Sequence, residues 1–244
     1  MKIDVCAITS FIYQVFRRIY MAYLILVRHG QSLWNLANKF TGWVDVPLSE
    51  KGLAEARSAA NRLKDIDIDV AFTSTLIRAQ QTLFTILAKQ EKTGVFLHSQ
   101  KKEKEWSLHP REFDKTEIPI YSSNKINERY YGDLQGKNKD SARKKFGENK
   151  VHIWRRSYDI PPPNGESLKD TCKRAIPYFE KEILPYVKKK KNVIIAAHGN
   201  SLRGIIKHIE NISDEEIPKL ELPTGKPIIY DYKNGKLTRI GKLA

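Results

Sequence analysis

Cysteine is scarce in this chain: only Cys6 and Cys172 occur among 244 residues. They form no C-x-x-C pair and no set spaced with histidines, which argues against a zinc site and against a disulfide framework. A reducing, cytoplasmic setting is the expectation. Long apolar runs are missing too, since no stretch of roughly 18 uncharged apolar residues is present to cross a bilayer. The first twenty residues hold an apolar stretch, but Asp4 interrupts it, Arg17-Arg18 follow it rather than precede it, and no small-residue cleavage site comes after. Residues 1–21 are therefore expected to form a poorly ordered N-terminal extension rather than a secretory signal.

Acidic side chains are too few to balance the basic ones: 28 Asp+Glu stand against 43 Lys+Arg, for a formal charge of +15. Such an excess draws anions, whether nucleic acid, acidic lipid or small phosphorylated metabolites. A nucleic-acid binder should show aromatic platforms along a basic stripe or a recognisable motif, and neither is seen. Much of the charge sits in runs such as Lys188 to Lys191, which read as solvated surface.

What is present is a hydrophobic fraction of 41%, enough for a packed interior, arranged as alternating strand and helix patterns. Tyr23 to Val27 is a short apolar run that stops at Arg28-His29-Gly30, as a buried strand ending in a loop should. Ser49 can cap a helix running to about Lys64, and Val70 to Phe72 makes a second strand. Leu76, Ala79, Leu83, Ile86 and Leu87 recur at helical spacing immediately after it, with Arg78 in the first turn. Val95 to Leu97 reads as a strand, and the polar stretch from Ser99 to Asn127, lacking any sustained period, as a loop or insertion at about 99–125. Two short helices lie over Asp140 to Phe146 and Val151 to Tyr158. A long helix over Ser167 to Lys188 should be bent or divided by Pro177 and Pro185. Asn192 to Ala197 is the clearest buried strand and ends at His198-Gly199-Asn200. Lys226 to Ile240 reads as a hairpin turning at Asn234-Gly235. The expected fold is an α/β domain over 22–244 with a mostly parallel central sheet, one antiparallel strand and helices on both faces. Ligands of such sheets bind beyond the carboxyl ends of the strands. Arg28-His29, Arg78 and His198 all belong there.

Phosphoryl transfer needs an in-line nucleophile surrounded by positive charge, and a neutral imidazole is a competent nucleophile near pH 7. Arg28-His29-Gly30-Gln31-Ser32-Leu33-Trp34-Asn35 followed by Phe40-Thr41-Gly42-Trp43 resembles the signature of the histidine phosphatase superfamily, and within it the cofactor-dependent phosphoglycerate mutases. Further blocks resemble the family in the right order: Thr73-Ser74 with Arg78-Ala79, then Asn127-Glu128-Arg129 through Tyr131-Gly132 to Asn138-Lys139, then Trp154-Arg155-Arg156, and finally Ala197 to Arg203. The resemblance implies a three-layer sandwich fold, His29 as the phosphorylated residue, and Arg28, Arg78 and His198 around the phosphoryl group with Asn35 and Gly199. It implies Glu128 as proton donor and acceptor, a task for a carboxyl whose pKa is raised by its surroundings. Tyr131, Lys139, Arg155 and Arg156 would hold the glycerate, with Thr41 and Gly42 on the other side and Asn200 beside Gly199.

By the same resemblance, the enzyme would interconvert 3-phosphoglycerate and 2-phosphoglycerate, primed by 2,3-bisphosphoglycerate, with no metal, no nucleic acid and no membrane, and with room for a homo-oligomer. A histidine phosphatase, or a bisphosphoglycerate mutase/phosphatase, shares the phosphohistidine core; the carboxylate-binding set favours the mutase. The chain departs from the family at Leu33 and Lys39, where a polar residue and arginine are common, and in its short connection from Pro161 to Glu166.

Overall fold

The computed structural model describes residues 22–97 and 113–241. The N-terminal extension over 1–21 and the first part of the expected insertion lie outside these described residues. Seven strands form one sheet: β1 (Ala22–Arg28), β2 (Val70–Thr73), β3 (Thr93–Leu97), β4 (Glu117–Ser122), β5 (Val193–Ala197), β6 (Pro227–Lys233) and β7 (Lys236–Ile240). Their order is β3-β4-β2-β5-β1-β6-β7. The pairs from β3 across to β1 are parallel, and β6 is antiparallel to both β1 and β7. One strand thus runs against the rest, as the sequence pattern predicts.

The two faces of the sheet are separated by the alternation of side chains along each strand. On β1, Leu24 and Leu26 join one apolar cluster while Tyr23, Ile25 and Val27 join another. After the four-residue α1 (Leu33–Leu36), the helices α2 (Glu50–Leu63) and α3 (Ile77–Lys89) cover the second face with Ala59, Ala60, Leu63, Leu83, Ile86 and Leu87. Ser49 caps α2 by accepting from the Gly52 N–H at 3.1 Å. The first face is covered from α6 (Leu168–Tyr178), through a π-helical turn at Phe179–Ile183, to α7 (Leu184–Lys188) and α8 (Gly199–Glu210). Pro177 and Pro185 bracket that turn, since neither can donate a backbone N–H to continue a regular ladder. Leu202, Ile205 and Ile206 give α8 a narrow apolar face, fully buried against the sheet. Truncating one of them to alanine should cost about 2–5 kcal/mol.

The helices α4 (Lys139–Phe146) and α5 (Glu148–Arg156) pack around a separate small cluster of Phe40, Leu134, Ala142, Val151 and Trp154. Among the described residues, no helix is long and apolar enough to cross a membrane. The β6–β7 hairpin turns through Asn234 and Gly235 at φ values of 52° and 80°, as a type I′ turn demands.

The polar stretch expected to be a loop contains a strand. Within it, β4 sits between β3 and β2, with Ile118 and Ile120 fully buried and Tyr121 stacked on Phe72 at 5.2 Å. Pro119 hides the strand from a sequence reading, because a proline usually argues against a strand with neighbours on both sides.

Candidate active site

Register brings the chemistry together. Arg28 on β1 is level with Ala197 on β5, and Thr73 on β2 is level with Ala196. The residues that follow, His29, His198 and Ser74, therefore leave the sheet side by side. From β1 the chain goes to β2 on one side, and from β5 it passes β1 to reach β6 on the other, so the crevice opens where these strands part. The loop after β1 presses close to α2: a Cβ on Gly30 would meet the Gly52 carbonyl oxygen at 2.2 Å. Only glycine fits there.

His29 is buried, and its Nδ1 lies 2.6 Å from the Gly30 carbonyl oxygen. A carbonyl can only accept, so Nδ1 carries the proton and Nε2 keeps its lone pair. Burial first, then the charges of Arg78 and Arg28, hold the His29 pKa well below the usual imidazole value. The ring is neutral at pH 7. His198 is fully buried with its ring centroid 4.9 Å away, and burial and Arg78 depress its pKa as well. Its Nε2 is 2.7 Å from the Ser74 hydroxyl, and its Nδ1 has no hydrogen-bond partner among the described residues.

Arg78 is buried in the first turn of α3, and its guanidinium donates to the Gly42 carbonyl at 2.7 Å and the Val44 carbonyl at 3.0 Å. Gly42 takes a left-handed φ of 57°, and a Cβ there would strike the Gln135 side chain at 2.1 Å. Burial lowers the Arg78 pKa to about 10, which leaves it cationic at neutral pH. Arg28 donates from Nη1 to the Leu222 carbonyl at 2.7 Å. The Nε atoms of both arginines are buried with no hydrogen-bond partner among the described residues. Asn35 belongs to a capping box with Ser32 at the start of α1, which fixes the short helix beside His29.

Glu128 approaches from the segment after β4. Its Oε1 accepts from the Arg129 N–H at 2.7 Å, the Asn200 side-chain amide at 2.8 Å and the Asn200 N–H at 3.2 Å. The expectation of a raised carboxyl pKa is corrected by this geometry. Burial pushes the pKa up, but the Arg129 N–H, the Asn200 amide and the nearby Arg28 and Arg78 outweigh it, so the net shift is downward. Glu128 is a carboxylate in the free protein.

These groups line a cavity of about 240 Å³. Of the fourteen residues the sequence singles out, all but His198 line it, and the His198 ring lies edge-on to that of His29 at 4.9 Å. Tyr131, Lys139, Arg155 and Arg156 line the same cavity, and of these Arg156 is partly exposed. Burial and the charge of Arg155 lower the Lys139 pKa, and burial lowers that of Arg155. The cavity also includes Lys39, Phe40, Arg203 and Glu221, to which the sequence reading gives no role. Glu221 is an exposed carboxylate that pairs with Arg156 at 2.7 Å. Arg129, also missed, is fully buried with its guanidinium 4.8 Å from the Tyr131 ring centre. Seven cationic side chains and two carboxylates line the cavity, an excess of positive charge that favours an anionic ligand.

The family model described as histidine phosphatase superfamily (branch 1) matches residues 24–110 and 111–241. The chain belongs to the histidine phosphatase superfamily. Among relatives in this superfamily, the 2,3-bisphosphoglycerate-dependent phosphoglycerate mutase of Methanosarcina acetivorans is 52% identical over 90% of this chain and 95% of its own. The protein of the same name from Chlamydia pneumoniae is 50% identical over 90% of this chain and 97% of its own. Solved histidine phosphatase folds superpose well. "Mycobacterial hydrolase 1" gives a TM-score of 0.71 at 18% identity over 91% of this chain and 99% of that one. A putative alpha-ribazole-5'-P phosphatase from Escherichia coli gives 0.69 at 19% identity over 91% and 96%. Identities this low speak for the shared fold alone.

Proposed function

We propose that this enzyme interconverts 3-phosphoglycerate and 2-phosphoglycerate through a phosphohistidine at His29 Nε2, primed by 2,3-bisphosphoglycerate. The observation that carries the reading is that one cavity joins the His29 pocket to Tyr131, Lys139, Arg155 and Arg156. A phosphomonoesterase needs only the first; a mutase must also hold a carboxylate while phosphate is exchanged. Curated relatives near half identity bear the mutase name over almost the whole chain.

The residues present suit a bisphosphorylated acid. Arg28 Nε, Arg78 Nε and His198 Nδ1 are buried polar atoms without hydrogen-bond partners among the described residues, and the surrounding charge is strongly positive. When bound, 2,3-bisphosphoglycerate supplies the first phosphoryl group. Arg28, Arg78 and His198 would hold its oxygens, and His29, with the Nε2 lone pair free, would be the nucleophile that accepts the phosphoryl group. Glu128 gives a proton to the departing alkoxide and takes one from the hydroxyl that attacks in the return step. Because Glu128 is ionised in the free protein, it must gain its proton when the anionic substrate enters. Two added phosphates raise a nearby carboxyl pKa, so binding itself sets the protonation state. Tyr131, Lys139, Arg155 and Arg156 grip the carboxylate, so that either hydroxyl can be presented to the same phosphoryl group.

The test is an assay of 3-phosphoglycerate with and without catalytic 2,3-bisphosphoglycerate, following 2-phosphoglycerate and free phosphate together. Isomerisation that depends on the bisphosphate, with little phosphate released, supports the reading. Phosphate release without isomerisation would replace it with a phosphatase.

A further inference from the structure

Neither Arg174 nor Glu166 lines the cavity, yet together they hold the segment that carries Glu128. Arg174 projects from the middle of α6, between the buried Thr171 and Ala175, and its side chain is 14% exposed. Its guanidinium meets Glu166 with two bonds of 2.8 Å each. It also donates to the carbonyls of Asn124 at 3.3 Å, Lys125 at 2.9 Å, Asn127 at 3.0 Å and Glu128 at 2.9 Å. Glu166 in turn accepts from the Tyr130 N–H at 2.9 Å, just beyond Glu128. Trp43, over whose ring the guanidinium lies at 5.5 Å, donates from Nε1 to the same Glu128 carbonyl at 2.6 Å.

Residues 127–130 belong to no helix or strand, so their polar groups have no regular ladder to join. One guanidinium and its carboxylate partner take that place on both sides of Glu128. The position of the Glu128 backbone is thereby tied to α6, which is anchored in the core. We propose that Arg174, with Glu166, is a positioning residue that sets Glu128 for proton transfer to and from the substrate oxygen. This rests on the role given to Glu128 in the proposed function. Arginine is required for geometry: a lysine ammonium offers three donors from one point and cannot reach four carbonyls and a carboxylate at once.

The experiment measures the rate of His29 phosphorylation from 2,3-bisphosphoglycerate by rapid quench, in wild type, R174K, E166Q, E128Q and the double variants R174K/E128Q and E166Q/E128Q, with melting temperatures alongside. Displacing a proton donor by about 1 Å is enough to cost on the order of 10²-fold, so R174K should slow phosphorylation roughly 10–100-fold. In the E128Q background the same change should cost less than about two-fold, because the group it positions no longer transfers a proton. E166Q, which keeps an acceptor for the Tyr130 N–H, should show a smaller loss with the same disappearance, and it carries the test if R174K fails to fold. Equal losses in both backgrounds, or no loss in the Glu128 enzyme, overturn the inference while leaving the function standing. A wild-type enzyme that never labels at His29 overturns the functional reading and this inference together.

Discussion

The inner and outer halves of the cavity are built differently. Around His29 the side chains are buried and held by fixed partners: Arg78 by two backbone carbonyls, His29 by the Gly30 carbonyl, His198 by the Ser74 hydroxyl. At the outer end Arg156 is partly exposed and its partner Glu221 is 65% exposed. A pocket fixed before substrate arrives lowers the barrier, whereas a solvated rim mostly contributes affinity and choice. The difference suggests that changes inside should fall on kcat and changes outside on KM.

The largest expected effect is from His29→Gln, which should abolish labelling and lower turnover by about 10⁴-fold or more; surviving mutase activity in a coupled assay would sink the nucleophile assignment. Next, Arg78→Met should cost on the order of 10²–10³-fold in kcat, with a smaller change in KM. A loss carried mainly by KM would erase the distinction between the two halves. At the rim, Arg156→Met should raise KM for 3-phosphoglycerate about ten-fold and leave kcat within about two-fold, read from steady-state kinetics. The smallest effect is expected from Glu221→Gln, which removes a carboxylate competing for Arg156. KM should fall a few-fold at low salt and the difference should fade as ionic strength rises.

The inner half also makes a prediction about pH. Both histidines are depressed by burial, so the folded protein takes up their protons at lower pH than the unfolded chain does. Above the unfolded value of about 6.5 they contribute nothing; as pH falls below it, stability is lost at about 1.4 kcal/mol per unit for each, until the folded pKa is reached. Denaturant unfolding from pH 6.5 downward should show a shallower decline in His29→Gln than in wild type. An unchanged slope would mean that the ring is not held neutral by its surroundings.

Much of this was legible in the sequence, because buried parallel strands are continuous apolar runs and the candidate residues sit at their ends. Arg203 lies one helical turn beyond Gly199 on α8, so helical spacing was a signal that could have placed it at the cavity. Glu221 comes from an irregular stretch with no period to orient it, and only tertiary packing brings it to Arg156. β4 was obscured by Pro119 within a stretch rich in polar residues. The ionisation of Glu128 was beyond reach for another reason: it depends on which N–H groups end on Oε1, and Asn200 is 72 residues away in the chain.

The bond from His29 Nδ1 to Gly30 has a consequence in time. A phosphoryl group taken onto Nε2 would leave a ring still protonated at Nδ1, hence positively charged and a good leaving group. The enzyme would keep a short covalent memory of its last encounter, erased by substrate or by water. Its activity after storage would then depend on its history, with a lag in preparations that have lost the label and none in those freshly charged.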